Sequence, residues 1–253
     1  MREIAIQAGG TPQWIRTLVC GLPSSGKTTF AATAPKPLFI SDESEGGYKS
    51  LYSIDPAMFW DPKVPPKVWS IESMRDMPAA IAKLETMKSQ GQFPFSTVVI
   101  DPLSIYVDRV LAELQAASPG MDNRKHYGDL ANILRTLVQR VHALPCHVIW
   151  LSHIRAGMDN NASPAIGGQM GEKFPAYCDF KWLTHVQTAG PNQPPVFELR
   201  TAPFRSFTFL GGRFKVPDPL IPSFKCVAQV LGLPDKPVSP SVPGYPEGVQ
   251  YQV

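Results

Sequence analysis

Cysteine is scarce in this sequence. Cys20, Cys146, Cys178 and Cys226 are the whole complement, and no two form a CxxC pair or stand at metal-ligand spacing from a histidine. That argues against a disulfide scaffold and a zinc module. Cys20 and Cys146 sit in apolar, strand-like runs and read as buried free thiols, which suits a reducing cytoplasm. Charge is also modest: 18% of residues are charged, the net charge is +3 and the pI is near 8.6. Such a balance is compatible with nucleic acid but too weak to argue for it alone. There is no basic-then-apolar leader and no 18-residue apolar run, so neither secretion nor a membrane span is expected. Internal repeats are lacking too.

Proline, by contrast, is abundant. The chain carries 27 in 253 residues, about twice average usage. They cluster around 56–66, 191–203, 217–222 and 234–246, marking loop or extended chain at each place. With 43% hydrophobic residues, the chain is long enough for one large α/β domain or two small ones. Residues 14–20 (WIRTLVC), 37–41 (PLFIS), 96–101 (STVVID) and 146–152 (CHVIWLS) read as buried strands, with a shorter one at 67–71. Helices are expected from Lys27 to before Pro35, from a cap at Asp76, over 104–116 and over 127–143, the last with a Leu130, Leu134, Leu137, Val138, Val141 stripe. Residues 118–126 and 153–174 read as loops, and further strands are expected near 180–186, 196–200 and 206–210. Strands alternating with helices predict an α/β fold with a mostly parallel sheet flanked by helices and an antiparallel extension toward the C-terminus. The expected organisation is an arm over 1–13, a core over 14–232 and a proline-rich, unpacked tail over 233–253.

The sharpest signal is Gly21-Leu-Pro23-Ser24-Ser25-Gly26-Lys27-Thr28, which fits GxxxxGK[ST] at every fixed position and runs from a strand into a helix. Its glycines let backbone amides converge on phosphate oxygens, and the helix N-terminus, including Thr29, adds to the field. Lys27 is expected to neutralise the β- and γ-phosphates, and the Thr28 hydroxyl to ligate Mg2+. ATP is the expected nucleotide, with GTP left open. A second acid is needed at the tip of a neighbouring strand. Asp101, closing VVID, supplies it, although a strand-ending aspartate also suits a helix cap.

Water activation requires a base. Among Asp42, Glu43 and Glu45, which follow the second strand, Glu45 is the first choice because Gly46 and Gly47 follow it, with Glu43 next. His153, just past the strand CHVIWLS, is placed to sense the γ-phosphate, with Ser152 as its rival. The long 153–174 loop, carrying Arg155 and Lys173, and the 118–126 loop, carrying Arg124 and Lys125, suit contacts to the backbone of single-stranded DNA, though stacking aromatics are scarce in both. Arg200, Arg205 and Arg213 are candidates for an arginine that reaches a neighbouring subunit's nucleotide.

Taken in order, the P-loop, Glu45-Gly46-Gly47, VVID, an amphipathic helix, strand-Ser-His and a glycine-rich loop ending near Phe174-Pro175-Ala176-Tyr177-Cys178-Asp179 resemble the phage RecA-like ATP-binding proteins of the Sak type. The resemblance covers roughly residues 14–216. It implies an ATP-dependent annealing or strand-pairing protein that oligomerises on single-stranded DNA as a ring or filament, in the host cytoplasm if phage-encoded. It assigns Glu45 the water-activating role and His153 the coupling of γ-phosphate to DNA, and it matches 118–126 and 154–174 to two DNA-binding loops. The proline tail is a candidate docking segment for a single-strand-binding protein. A nucleotide or small-molecule kinase, or an ATP-bound adaptor such as a helicase loader, are the alternative readings.

Overall fold

The computed structural model describes residues 12–42, 46–156, 161–188 and 193–233. Glu43 and Glu45, most of the N-terminal arm and nearly all of the proline-rich tail therefore lie outside the described residues.

The chain begins with β1 (Arg16–Cys20), α1 (Lys27–Ala32), β2 (Pro37–Asp42), β3 (Lys67–Ile71), α2 (Asp76–Ser89) and β4 (Thr97–Asp101). It continues through α3 (Leu103–Ala117), α4 (Asn123–His142), β5 (His147–Ser152), the short strands β6 (Ile154–Ala156) and β7 (Ala162–Pro164), and α5 (Met170–Lys173). It closes with β8 (Phe180–Gln187), β9 (Val196–Arg200), β10 (Gly211–Gly212) and α6 (Phe224–Leu231). One sheet runs in the order β10-β8-β1-β5-β4-β2-β3, with β9 also paired to β8. Every pair from β8 to β3 is parallel, and β9 and β10 add antiparallel to β8. The mostly parallel sheet and the antiparallel edge are as the sequence predicts.

Each face of the sheet buries alternate residues of the same strands, as a parallel sheet covered on both sides requires. Leu18, Val98, Ile100, Val148 and Trp150 pack under α2, α3 and α4. Val19, Val99, Ile149 and Leu151 face the opposite layer, built from Phe30 of α1 and Phe224 and Val227 of α6. β4 and β5 are buried along their whole length, which explains their near-continuous apolar sequence. All four cysteines are free thiols, and Cys20, Cys146 and Cys178 are buried.

Three local expectations are corrected, and one helix was not expected. Residues 123–126 are not loop: Asp122 accepts the Arg124 amide at 2.9 Å and starts α4 at Asn123, the capping role of a short carboxylate. Asp76 is not the cap of α2 but lies inside its first turn, where its carboxylate accepts the Glu72 and Ser73 amides at 2.9 and 2.7 Å. The 206–210 strand does not form; that segment turns, with one bridge between Phe204 and Phe207, and Phe207 and Phe209 pack onto the core instead. Finally, α6 escapes the sequence reading. Ser223 caps it by accepting the Lys225 amide at 3.2 Å, and Gly232 ends it at φ 62°, the left-handed C-terminal geometry that glycine favours.

Candidate nucleotide site and basic cleft

The P-loop leaves β1 at the carboxyl edge of the parallel sheet, where ligands of open α/β sheets are bound. Gly26 has φ 92°, a backbone that a side chain would strain, and it stands at the N-terminus of α1. The loop is anchored from β8: Thr184 Oγ1 and Ser25 Oγ share a 2.7 Å hydrogen bond, and Thr184 also donates to the Cys20 carbonyl at 3.2 Å. A side-chain carbon at Gly21 would collide with both hydroxyls. Glycine there is therefore required by close packing.

Lys27 is buried, and its ammonium donates to the Gly21 and Leu22 carbonyls at 3.0 and 2.8 Å. Burial pulls its pKa below the ordinary lysine value, opposed by the negative charge of Asp101. The Thr28 hydroxyl donates to Asp101 Oδ2 at 3.0 Å. Burial pushes the Asp101 carboxyl up to about 6, against the Thr28 hydrogen bond and Lys27, which both hold it down. A buried carboxylate of raised pKa beside a hydroxyl is a hard-oxygen pair suited to Mg2+, which takes few protein ligands and keeps phosphate oxygens and water as the rest.

These groups line a cavity of about 510 Å³. Pro23 to Thr29 form its floor, Gly46, Gly47, Ser50, Asp101, Pro102 and His153 one wall, and Phe197 stands on the other side. A side-chain carbon at Gly47 would lie 3.6 Å from Asp101 Oδ2, so the backbone just after Glu45 passes close to the Asp101 carboxylate. The His153 amide donates to Ser104 Oγ at 3.3 Å, tying the end of β5 to the start of α3. Ser152, the rival of His153, is fully buried in β5 and donates its hydroxyl to the His153 carbonyl at 2.9 Å, and it does not line the cavity.

A second cavity, of about 500 Å³, opens between α4 and residues 167–173. Arg124, Tyr127, Gly128, Ala131 and Arg135 form one wall, and Lys173 stands among the residues of the other. Their spacing on α4 is that of one helical stripe, which flanks the Leu130, Leu134 and Leu137 stripe that enters the core. Among the described residues, none of Arg124, Arg135 and Lys173 pairs with a carboxylate; Arg135 and Lys173 hold only the neutral side chains of Asn132 and Gln169. Tyr127 is 40% exposed. Arg155, on β6, donates to Ser163 Oγ at 3.3 Å and reaches the Gly168 carbonyl at 3.5 Å, bracing the far wall. Lys125 is exposed on the first turn of α4 and does not line the cleft. Sequence reasoning passed over Tyr127 and Arg135, although the helical stripe that begins at Arg124 points to both.

The three arginines proposed to act on a neighbour do not line the nucleotide cavity. Arg200 is held within the chain by Asp218 at 2.9 Å and Glu198 at 3.6 Å, with its guanidinium over the Phe204 ring. Arg205 is exposed and lies over the same ring at 4.9 Å. Arg213 is 63% exposed and lies 3.4 Å from Asp179.

Among the described residues no helix is long and apolar enough to cross a membrane. A search of curated proteins finds no match. One solved structure similar in fold is that of a prototypical ATPase from the type III secretion system of pathogenic bacteria, at 13% identity and a TM-score of 0.48. The match covers 68% of this chain and 51% of that one, so this chain spans about half of that protein's length. The model of the AAA domain family AAA_24 matches residues 14–181. With the P-loop, the buried Asp101 and the covered parallel sheet inside that span, this chain belongs to the AAA domain family and is a P-loop ATPase.

Proposed function

We propose that this ATPase is a recombination protein of the phage RecA-like Sak type, which binds single-stranded DNA, pairs or anneals strands, and hydrolyses ATP faster on DNA. The observation that carries the proposal is the basic cleft. It gathers Arg124 and Lys173, from two segments far apart in the chain, around Tyr127 and three glycines, with no acidic side chain in its wall. Unpaired cations that track a phosphate backbone, with an aromatic to stack a base, are the chemistry of sequence-tolerant single-strand binding. Covalent continuity supports coupling between the two cavities: His153 lines one, and Arg155, two residues on, braces the other.

At the nucleotide, Lys27 neutralises the β- and γ-phosphates while Thr28 and Asp101 hold Mg2+, whose charge offsets that of the phosphates. Glu45 draws a proton from the attacking water, and His153 contacts the γ-phosphate. Subunits assemble as a ring or filament on DNA, and an exposed arginine, Arg205 or Arg213, reaches the neighbour's nucleotide. The tail beyond 233 docks a single-strand-binding protein.

Steady-state ATPase rates with and without single-stranded DNA test this reading. We expect stimulation that weakens with salt and is smaller with duplex. Replacing Arg124 and Lys173 together with alanine should remove the stimulation and lower the salt slope of DNA binding by about 1.4, at about 0.7 per lost phosphate contact. A rate indifferent to DNA would favour a kinase or an adaptor.

A Glu45→Gln variant is expected to bind ATP normally but lose turnover by roughly 100-fold or more, since size is kept and the base deleted. Retained hydrolysis would move the base to Glu43.

A further inference from the structure

The sheet order gives the nucleotide cavity a direction. On one side of β1 lie β5, which leads into His153, and β4, which ends at Asp101; on the other lie β8 and β9, which carry Thr184 and Phe197. A triphosphate whose reactive end meets Asp101 and His153 must send its nucleoside away from them, past Thr28 and Thr29.

Phe197 is the residue that stands there. Its neighbour on the same face of β9, Leu199, is fully buried in the core beneath α6. Phe197 lies beyond the edge of that core, half-buried, and lines the cavity. Its Cδ1 lies 3.4 Å from the point where a side-chain carbon on Gly26 would begin, so the ring sits directly against the last turn of the P-loop. Phe197 makes no ring–ring contact with any described residue. Among the described residues it is also the only phenyl ring in a wall otherwise built of glycines, prolines, hydroxyls, Lys27, Asp101 and His153. A half-exposed aromatic face beside phosphate-binding amides is suited to a planar base.

We propose that Phe197 is the platform on which the base of the bound nucleoside triphosphate stacks. The proposal rests on the P-loop cavity being the nucleoside triphosphate site. Stacking of this kind contributes affinity for the nucleoside and leaves the chemistry at the γ-phosphate to Lys27, Thr28 and Asp101.

The test compares binding of Mg-ATP with binding of inorganic Mg-tripolyphosphate, which has the phosphates and no base. In Phe197→Ala, ATP affinity should fall about ten-fold or more while tripolyphosphate affinity stays within about two-fold. Phe197→Trp should restore ATP binding. Phe197→Leu, which keeps apolar bulk against Gly26 without an aromatic face, should behave like the alanine variant and carries the test if that variant fails to fold. Unchanged ATP affinity in both the alanine and leucine variants would overturn the proposal. Equal loss of ATP and tripolyphosphate would overturn it too, because the ring would then only support the loop. If the wild-type protein binds neither ligand, the reading of the cavity itself falls.

Discussion

A Lys27→Ala variant is expected to lose ATP turnover by three orders of magnitude or so, because one side chain serves both the ground-state loop and the charge that develops in phosphoryl transfer. Among the described residues Lys27 is the only lysine or arginine that lines the nucleotide cavity. Its ammonium rests on the Gly21 and Leu22 carbonyls, within the loop that turns its amides toward phosphate. Burial lowers its pKa, and negative phosphates beside it would favour the charged ammonium. Alanine removes that charge and the lysine hydrogen bond to both carbonyls, of which Leu22 keeps the Ser25 amide at 3.2 Å. Phosphate release measured alongside a thermal melt separates lost chemistry from lost folding. Substantial hydrolysis by a folded variant would overturn the assignment of this cavity.

Replacing Asp101 with asparagine should abolish Mg2+-dependent turnover, by roughly 100-fold or more, while stabilising the nucleotide-free protein above neutral pH. Burial raises the Asp101 carboxyl from its ordinary value to about 6. Because the folded-state pKa lies above the unfolded one, the folded protein binds the extra proton between about pH 4 and pH 6, and its stability falls as pH rises through that window. Above it, holding the carboxylate ionised costs on the order of 2–3 kcal/mol. Asparagine keeps an oxygen to accept from Thr28, whose hydroxyl lies 3.0 Å from Asp101 Oδ2, and does not carry the charge. The melting temperature of the variant should therefore exceed that of the wild type by several degrees at pH 8, with the difference shrinking toward pH 5. Adding Mg2+ and nucleotide should stabilise the wild type more than the variant. A variant no more stable than wild type at pH 8 would mean that Asp101 is already well compensated.

Asp101 also illustrates what could be read ahead of the fold. An acid after three apolar β-branched residues announces the end of a buried strand, and the structure brings it to the P-loop threonine 73 residues away. The same local logic located the central parallel strands, because a strand covered on both faces must be apolar along its length, and the edge strand β3 was found from its short β-branched and aromatic run. It failed where side chains, not periodicity, decide. The Asp122 cap moved Arg124 and Lys125 from a loop onto α4. The alternation of 206–210 suggested a strand, but Phe207 and Phe209 are used for packing. α6 is short, so its apolar face of Phe224, Val227 and Ala228 spans only about two turns and was passed over, although Ser223 and Gly232 mark its ends.

From the sequence alone, this protein is an α/β domain with a phosphate-binding loop, because GxxxxGK[ST] encodes a geometry that is complete within eight consecutive residues. What lay between distant segments was decided only by the tertiary structure. Thr184 of β8 braces Ser25, Lys173 meets the α4 stripe across a cleft, and Phe197 of β9 closes over Gly26. Arg200 is held by Asp218 and stays within its own chain. These pairings depend on strand order and on where helices start. Both follow from the summed burial of two apolar layers, which no short stretch of residues contains.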